Sequence, residues 1–292
     1  MKKLLMAVIA LMMTISASAQ FYIYYSDGTV AKVDSISMIA PEESEQPDPS
    51  AGIGVFSVSA DKQVTFSKGN LQYTQSTNTW SFAENQYDYL GEANIAIDAD
   101  VLADKVDLFG WSTGATNFGV STSTNDNDYS GSFVDWGTNQ IGNNAPNTWR
   151  TLSYDEWAYL LNNRPNASSL KGVAQVNGVN GLIFLPDTWV CPEGVTFKSG
   201  FHSSFGVDYY AAYQTFTADQ WSKFEAAGAI FLPAAGNRNG SNVFNVQFNG
   251  NYWSATESDS NFVYYLHFFS GAASMISTTR LSCQSVRLVK DL

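Results

Sequence analysis

Few side chains in this 292-residue chain are of a type that does covalent chemistry, and their spacing limits what they could do. The cysteines are Cys191, in TWVCPEG, and Cys283, in RLSCQS; the histidines are His202, in SGFHSSFG, and His267, in YYLHFF. No Cys-x-x-Cys pair or Cys/His cluster occurs, so a zinc site is not expected. The cysteines read as unpaired small apolar side chains, although an exported chain could oxidise them to a disulfide. His202 stands beside Ser203, but adjacent residues rarely face each other productively, and no oxyanion-type glycine motif accompanies them. His202 therefore reads as a loop residue. Asp126 and Asp128, in STNDNDYSG, begin a calcium-loop pattern, yet Gly137 stands where the closing Glu belongs. A solvated turn is the expectation there, and no catalytic residue, metal or cofactor is predicted.

What remains is contact chemistry. In FVYYLHFF, from Phe262 to Phe269, five of the residues are Phe or Tyr. The following stretch to Cys283 is small or β-branched almost throughout. Strand alternation sets Leu266 and Phe268 on one face and His267 and Phe269 on the other, one face buried and the other exposed. Aromatic rings give large contact area at low entropic cost, so such a strand suits recognition.

The elements that must hold this strand are short. FYIYYSDGTVAKVDSISMI, Phe21 to Ile39, reads as a β-hairpin turning at Ser26-Asp27-Gly28. PEESEQPDPS is a linker. Strands are expected at Phe56–Ser59, Gln63–Phe66 and Thr79–Ala83. Leu108 to Trp149 is long loop, with Trp111, Trp136 and Trp149 as its buried cover. Capping boxes at Ser153–Glu156 and Thr217–Gln220 start helices through WAYLLNNR and WSKFEAAG, the second closed by Gly228. GLIFLP (Gly181–Pro186) and GAIFLP (Gly228–Pro233) are buried strands ended by Pro. The tail holds strands at Asn251–Thr256, Val263–Phe269 and Ser285–Val289. The fold class is α+β: short strands, two or so helices and long loops, preceded by a small β-hairpin unit.

Composition narrows the setting. Charged residues are 14% and aromatics 14%, which argues for a folded chain and against disorder. MKKLLMAVIALMMTISASAQ has a basic start, a short apolar run and Ala17-Ser18-Ala19 before the cleavage point, as a signal peptide does. Export to the periplasm, cell surface or medium is the expectation, without direct membrane insertion. The formal charge of −12 becomes −14 once Lys2 and Lys3 are removed. Such acidity excludes nucleic acid as a partner. Residues 1–19 are thus read as the signal peptide, 20–40 as the hairpin, 41–53 as the linker and 54–292 as the main domain.

Several stretches carry a resemblance: FSVSADKQVTFSKGNLQY, WSFAENQYDYLGEANI, DLFGWST, WRTLSYDEWAYLLNNR, GLIFLPDTW, GAIFLPAAGNRNG and NYWSATESDSNFVYYLHFFSG…SVRLV. Together they resemble secreted Bacteroidetes proteins with a C-type-lectin-like fold. The group is similar to the Fibrobacter major paralogous domain and more distantly to the formylglycine-generating enzyme fold. The resemblance implies that Tyr252, Trp253 and Arg287 are structural, the Arg bonding backbone carbonyls or a buried carboxylate. In relatives diversified by retroelements, the segment before SVRLV is variable and lines the ligand surface. Mutated AAY codons do not reach Lys, Glu, Gln, Trp or Met. Ser258 to Cys283 contains none of these except Met275, which is then a fixed position or a counterexample. Cys283 replaces a Gly of the relatives.

The resemblance nominates Phe262, Tyr264, Tyr265, His267, Phe269, Ser277, Thr279 and Leu281 as ligand-binding residues. The ligand expected is a protein or glycan, with an anchoring partner reached through the N-terminal hairpin. A structural or tip subunit of a cell-surface assembly is the second reading, and a diverged formylglycine-generating-type enzyme the third. The calcium-dependent sugar motif of lectins is not in place: Gln46-Pro47-Asp48 falls in the linker, and Trp253-Ser254-Ala255 lacks both ligands.

Overall fold

The computed structural model describes residues 21–24, 30–33, 53–94, 96–98, 101–102 and 104–292. Residues 1–46 and 47–292 form two compact units. In the first, β1 (Phe21–Tyr24) pairs antiparallel with β2 (Val30–Val33), Phe21 opposite Val33. The expected turn of this hairpin, the signal peptide and nearly all of the linker lie outside the described residues.

The second unit begins with β3 (Phe56–Ser57), β4 (Gln63–Phe66), β5 (Leu71–Thr74) and β6 (Thr79–Phe82), then β7 (Ala96–Asp98), β8 (Val101–Leu102) and β9 (Lys105–Val106). The long loop follows, with 3₁₀ turns at Asp126–Tyr129 and Trp136–Thr138. After it come α1 (Tyr154–Ala158), β10 (Lys171–Val176), β11 (Val179–Phe184), α2 (Asp208–Tyr213), β12 (Thr215–Phe216), α3 (Ala218–Ala226) and β13 (Ile230–Pro233). The chain ends with β14 (Asn237–Asn239), β15 (Asn242–Phe244), β16 (Asn249–Glu257), β17 (Phe262–Phe269), β18 (Ala272–Thr279) and β19 (Val289–Asp291). The class is α+β: small sheets with few, short helices. The larger sheets run β12-β10-β11-β13, β16-β17-β18, β19-β4-β3 and β6-β5-β9.

Both capping boxes form. Ser153 Oγ accepts from Glu156 N–H while the Glu156 carboxylate accepts from Ser153 N–H, and Thr217 and Gln220 do the same. Each cap contributes about 1 kcal/mol. The first helix is shorter than expected: after Ala158 it widens into a π-helical turn, Tyr159–Asn163, which keeps Leu160 and Leu161 buried. The GLIFLP and GAIFLP segments lie side by side, Gly181 opposite Pro233 and Phe184 opposite Ile230.

Three corrections concern strands. Phe56–Ser59 is paired only through Ser57, because the turn begins at Val58. Ser285–Val289 is not a strand of one sheet. Its backbone is extended but bonds to four different segments: Ser285 to Asn251 and Trp253, Val286 to Leu71, Leu288 to Ser67 and Val289 to Arg150. The pairing strand starts at Val289 and runs to Asp291 beside β4. The small-residue stretch after Gly271 contains β18, which the composition concealed.

Two large cores meet at the C-terminal sheet. One joins Phe56, Phe66, Trp157, Phe184, Tyr252, Leu266 and Phe268. The other holds Trp80, Phe109, Trp111, Trp136, Trp149, Trp253 and Val263. Gly250 sits where a Cβ would collide with the Phe268 ring, so β16 and β17 approach closely only because no side chain intervenes.

Candidate functional site

The ladder of β16, β17 and β18 decides which aromatic residues act together. Residues opposite one another in an antiparallel pair share a face. Asn251, His267 and Ser274 are in register, as are Trp253, Tyr265 and Ile276, and Asn249, Phe269 and Ala272. These define one face. Tyr252, Leu266 and Met275 define the other, with Tyr264 opposite Ser277 and Phe262 opposite Thr279.

The candidate binding residues therefore do not form a single surface. Tyr265, His267 and Phe269 share the first face. Phe262, Tyr264, Ser277 and Thr279 lie on the second, where Leu266 and Phe268 enter the core. The Tyr264 ring packs against Tyr154 of α1 at 4.4 Å, so part of its area is committed within the fold. Phe262 remains 40% exposed at the far end of the strand. Leu281 is a correction: at 9% exposure it is buried, since the chain turns inward after Thr279 to reach the Cys283–Arg238 bridge.

The first face carries a row of rings. Trp253 meets Tyr265 at 6.0 Å, Tyr265 meets His267 at 6.1 Å, His267 meets Phe269 at 5.9 Å and Phe269 meets Phe205 at 6.2 Å. The row begins in the core at Trp253 and ends at Phe205, which is 69% exposed. Ile276 flanks it at 37% exposure and Ser274 is exposed beside His267. Burial pushes the Tyr265 phenol up to about 12, so it is a neutral hydroxyl.

His267 has a defined tautomer. The Asn251 amide donates through Nδ2 to Gly236 O at 3.0 Å. Its Oδ1 is then an acceptor 2.8 Å from His267 Nδ1, so Nδ1 carries the proton. Nε2 is left as an acceptor. Partial burial holds the imidazole below its ordinary pKa and keeps it neutral at physiological pH.

A second segment completes the site, and sequence reading missed it. The loop 200–207 is tied to the end of β17: His202 N–H donates to Ser270 O at 2.9 Å, and Gly206 N–H to Ser270 Oγ at 3.1 Å. This places Phe205 against Phe269. The His202 ring stacks on Tyr209 at 4.6 Å, and its Nδ1 accepts from Ser204 N–H. That imidazole is a turn fixture, in keeping with the loop role expected for it. Beyond Tyr213, an open groove of about 700 Å³ is lined by Phe197, Lys198, Gln214 and Gln220, with Lys198 Nζ 3.9 Å from the Tyr213 ring centre.

The structural trio sits in the interior. Tyr252 Oη donates to Pro233 O and Trp253 Nε1 to Phe109 O. Arg287 is fully enclosed, bonding Ser67 O, Phe231 O and Asn70 Oδ1; burial lowers its pKa to about 10, which still leaves it charged. Cys191 is an exposed free thiol and Cys283 a buried one. Asp128 accepts from Ser123 Oγ within a turn capped by Asn125. Among the described residues no three His, Cys, Asp or Glu side chains group as metal ligands, and no helix is long and apolar enough to cross a membrane. Comparison with protein-family models, with curated proteins and with solved structures finds no match for the chain.

Proposed function

We propose that this chain is an exported binding protein with a C-type-lectin-like fold, and that it holds a protein or glycan ligand on the ring row from Tyr265 to Phe205. The observation that carries the reading is the exposure gradient along that row. Its inner end is fixed by Trp253 in the core, with Ile276 beside Tyr265, while its outer end at Phe205 faces solvent. Rings held by core contacts lose little entropy on binding, and His267 Nε2 supplies one directional acceptor among them. The fold half of the reading rests on the motif resemblance, together with the architecture of short strands, short helices and one long loop. Export rests on the expected signal peptide.

The same geometry favours a diversified origin for this surface. Met275, the one residue of Ser258–Cys283 outside the AAY-accessible set, lies on the core-facing side opposite Leu266 and packs against the main core. A fixed residue belongs there.

The test is a glycan array and a displayed library of surface proteins, both screened with the exported chain. The expected ligand loses affinity about tenfold or more with Phe269→Ala and with Phe205→Ala, as anchor residues do. It is indifferent to Phe262→Ala on the opposite face. A ligand that depends on Phe262 and not on Phe269, or no ligand from either screen, overturns the reading.

A further inference from the structure

β18 is the edge of its sheet, and among the described residues no strand pairs with its outer side. Its eight residues, AASMISTT, include no charge and no proline, and its register with β17 runs without a bulge. None of the eight is buried. Among the described residues, its only backbone hydrogen bond outside the β17 ladder is Thr279 O accepting from Ser282 N–H. Sheets usually blunt such an edge with Lys, Pro, a bulge or a very short strand.

Several other sheet edges among the described residues follow that practice. β12, β3 and β9 are two residues long, and β13 ends in Pro233. The opposite edge of the same sheet, β16, is occupied: Gly236, Ser285 and Leu152 bond along it through Asn249, Asn251, Trp253 and Ala255. The uncapped length of β18 is a local exception.

We infer that β18 pairs antiparallel with β18 of a second copy, joining two three-stranded sheets into one of six strands. The middle of the strand fits a two-fold axis. In an isologous contact residue i of one copy faces j of the other and j faces i, and opposed residues must share a face, so the axis passes beside one residue that meets its own copy. Ile276 is central and is the exposed apolar residue of β18. Centred there, Ile276 meets its own copy, and Ser274 of each copy faces Thr278 of the other. A chain with net charge −12 repels itself over most of its surface, and an uncharged strand is where two copies can approach. A partner chosen by charge would instead need acidic side chains along this edge. The pairing sets the two ring rows on one continuous face, so the dimer is bivalent. It stands independently of which ligand the rows hold. One strand pair buries less than the roughly 1,600 Å² of a standard interface, so the association is concentration-dependent.

Sedimentation velocity on the exported chain, from about 5 to about 500 μM, tests this by mass action. The mean mass is expected to rise from one chain towards two, and more readily as added salt screens the net charge. Ile276→Lys should hold the chain monomeric, and Ser274→Lys should weaken the dimer less. Near-UV circular dichroism checks that each variant is folded. Hydrogen exchange on the unsubstituted chain gives the second reading, with β18 amides slowing as concentration rises. A monomer throughout the range overturns the inference. So does a dimer whose β18 amides stay unprotected, or one that survives Ile276→Lys.

Discussion

The long loop from Leu108 to Trp149 and the strand β17 are both rich in aromatic residues, and they use them in opposite ways. In the loop the rings are consumed by folding. Trp111 and Trp136 are fully enclosed, and their indole N–H groups donate to Ser254 O and Phe118 O. The Arg280 guanidinium lies 4.7 Å from the Trp111 ring and donates to Gly131 O. Irregular backbone has few ladder bonds, so a loop carbonyl such as that of Phe118 needs a side-chain donor, and the Trp136 indole supplies one along with its apolar area. In β17 the ladder satisfies the backbone on both sides. Its rings are then free to divide, Phe268 inward and Phe269 outward. Aromatic content alone does not separate a cover from a contact surface; the state of the backbone beneath it does.

The largest expected effect tests that division directly. Trp111→Ala should cost about 3–5 kcal/mol, since it empties a core site and strands the Ser254 carbonyl. Phe269→Ala should cost about 1 kcal/mol while weakening the proposed ligand binding about tenfold or more. Urea unfolding of the two variants measures both. Equal losses would erase the distinction between the regions.

How far the sequence reveals this arrangement depends on whether a signal is local. Both helix starts were legible because a capping box is complete within four residues. The burial of Trp111, Trp136 and Trp149 was legible from their loop context. The Asn177-Gly178 dipeptide, with both φ values positive, turns β10 into β11 and is a strong local hairpin signal. β18 was hidden because AASMISTT shows no apolar alternation, being an unburied edge. The partition of Phe262 and Tyr264 from His267 and Phe269 follows from period-2 geometry, but which face meets the core depends on partners outside the strand, among them Tyr154, far away in sequence. Phe205 could not be joined to Phe269 at all, since the link is a set of hydrogen bonds through Ser270. Leu281 looked exposed because nothing local shows the chain turning inward.

The next effect concerns how the loop is anchored. Asp107 is fully buried at its entrance, accepting from Leu90 N–H and Asn94 Nδ2, each at 2.8 Å. Burial raises its pKa to about 6 from 3.8, despite those donors. The folded state thus holds this proton more tightly than the unfolded one. The stability it contributes is fully present below the unfolded value and is lost as pH rises through the folded one, a change of about 2–3 kcal/mol. Glu156 and Asp291, both held low by Arg150, act in the opposite sense. The clean measurement is therefore the difference between the natural chain and Asp107→Asn, from about pH 4 to about pH 7. The natural chain should lose stability relative to the variant across that interval. Parallel curves would mean that the carboxyl is not the controlling group.

The smallest effect lies at the proposed contact surface and tests whether its polar element works as the geometry demands. His267 is held neutral with its proton on Nδ1, and its lowered pKa means that the imidazole stabilises the fold above its ordinary value and loses that contribution as pH falls through the depressed one. Protonation would also turn Nε2 from acceptor to donor and place a charge between Tyr265 and Phe269. Ligand affinity should therefore drop on acidification before the fold is lost, by a few-fold, as a single neutral hydrogen bond is worth about 1 kcal/mol. His267→Gln should flatten that dependence, and Asn251→Ala should release the tautomer without touching the ligand. Because the chain has only two histidines, imidazole ¹⁵N shifts can read both rings directly. Protonated Nδ1 with unprotonated Nε2 at His267 is the expected pattern at neutral pH. The reverse tautomer would make the surface a donor there and would call for a ligand with an acceptor in that place.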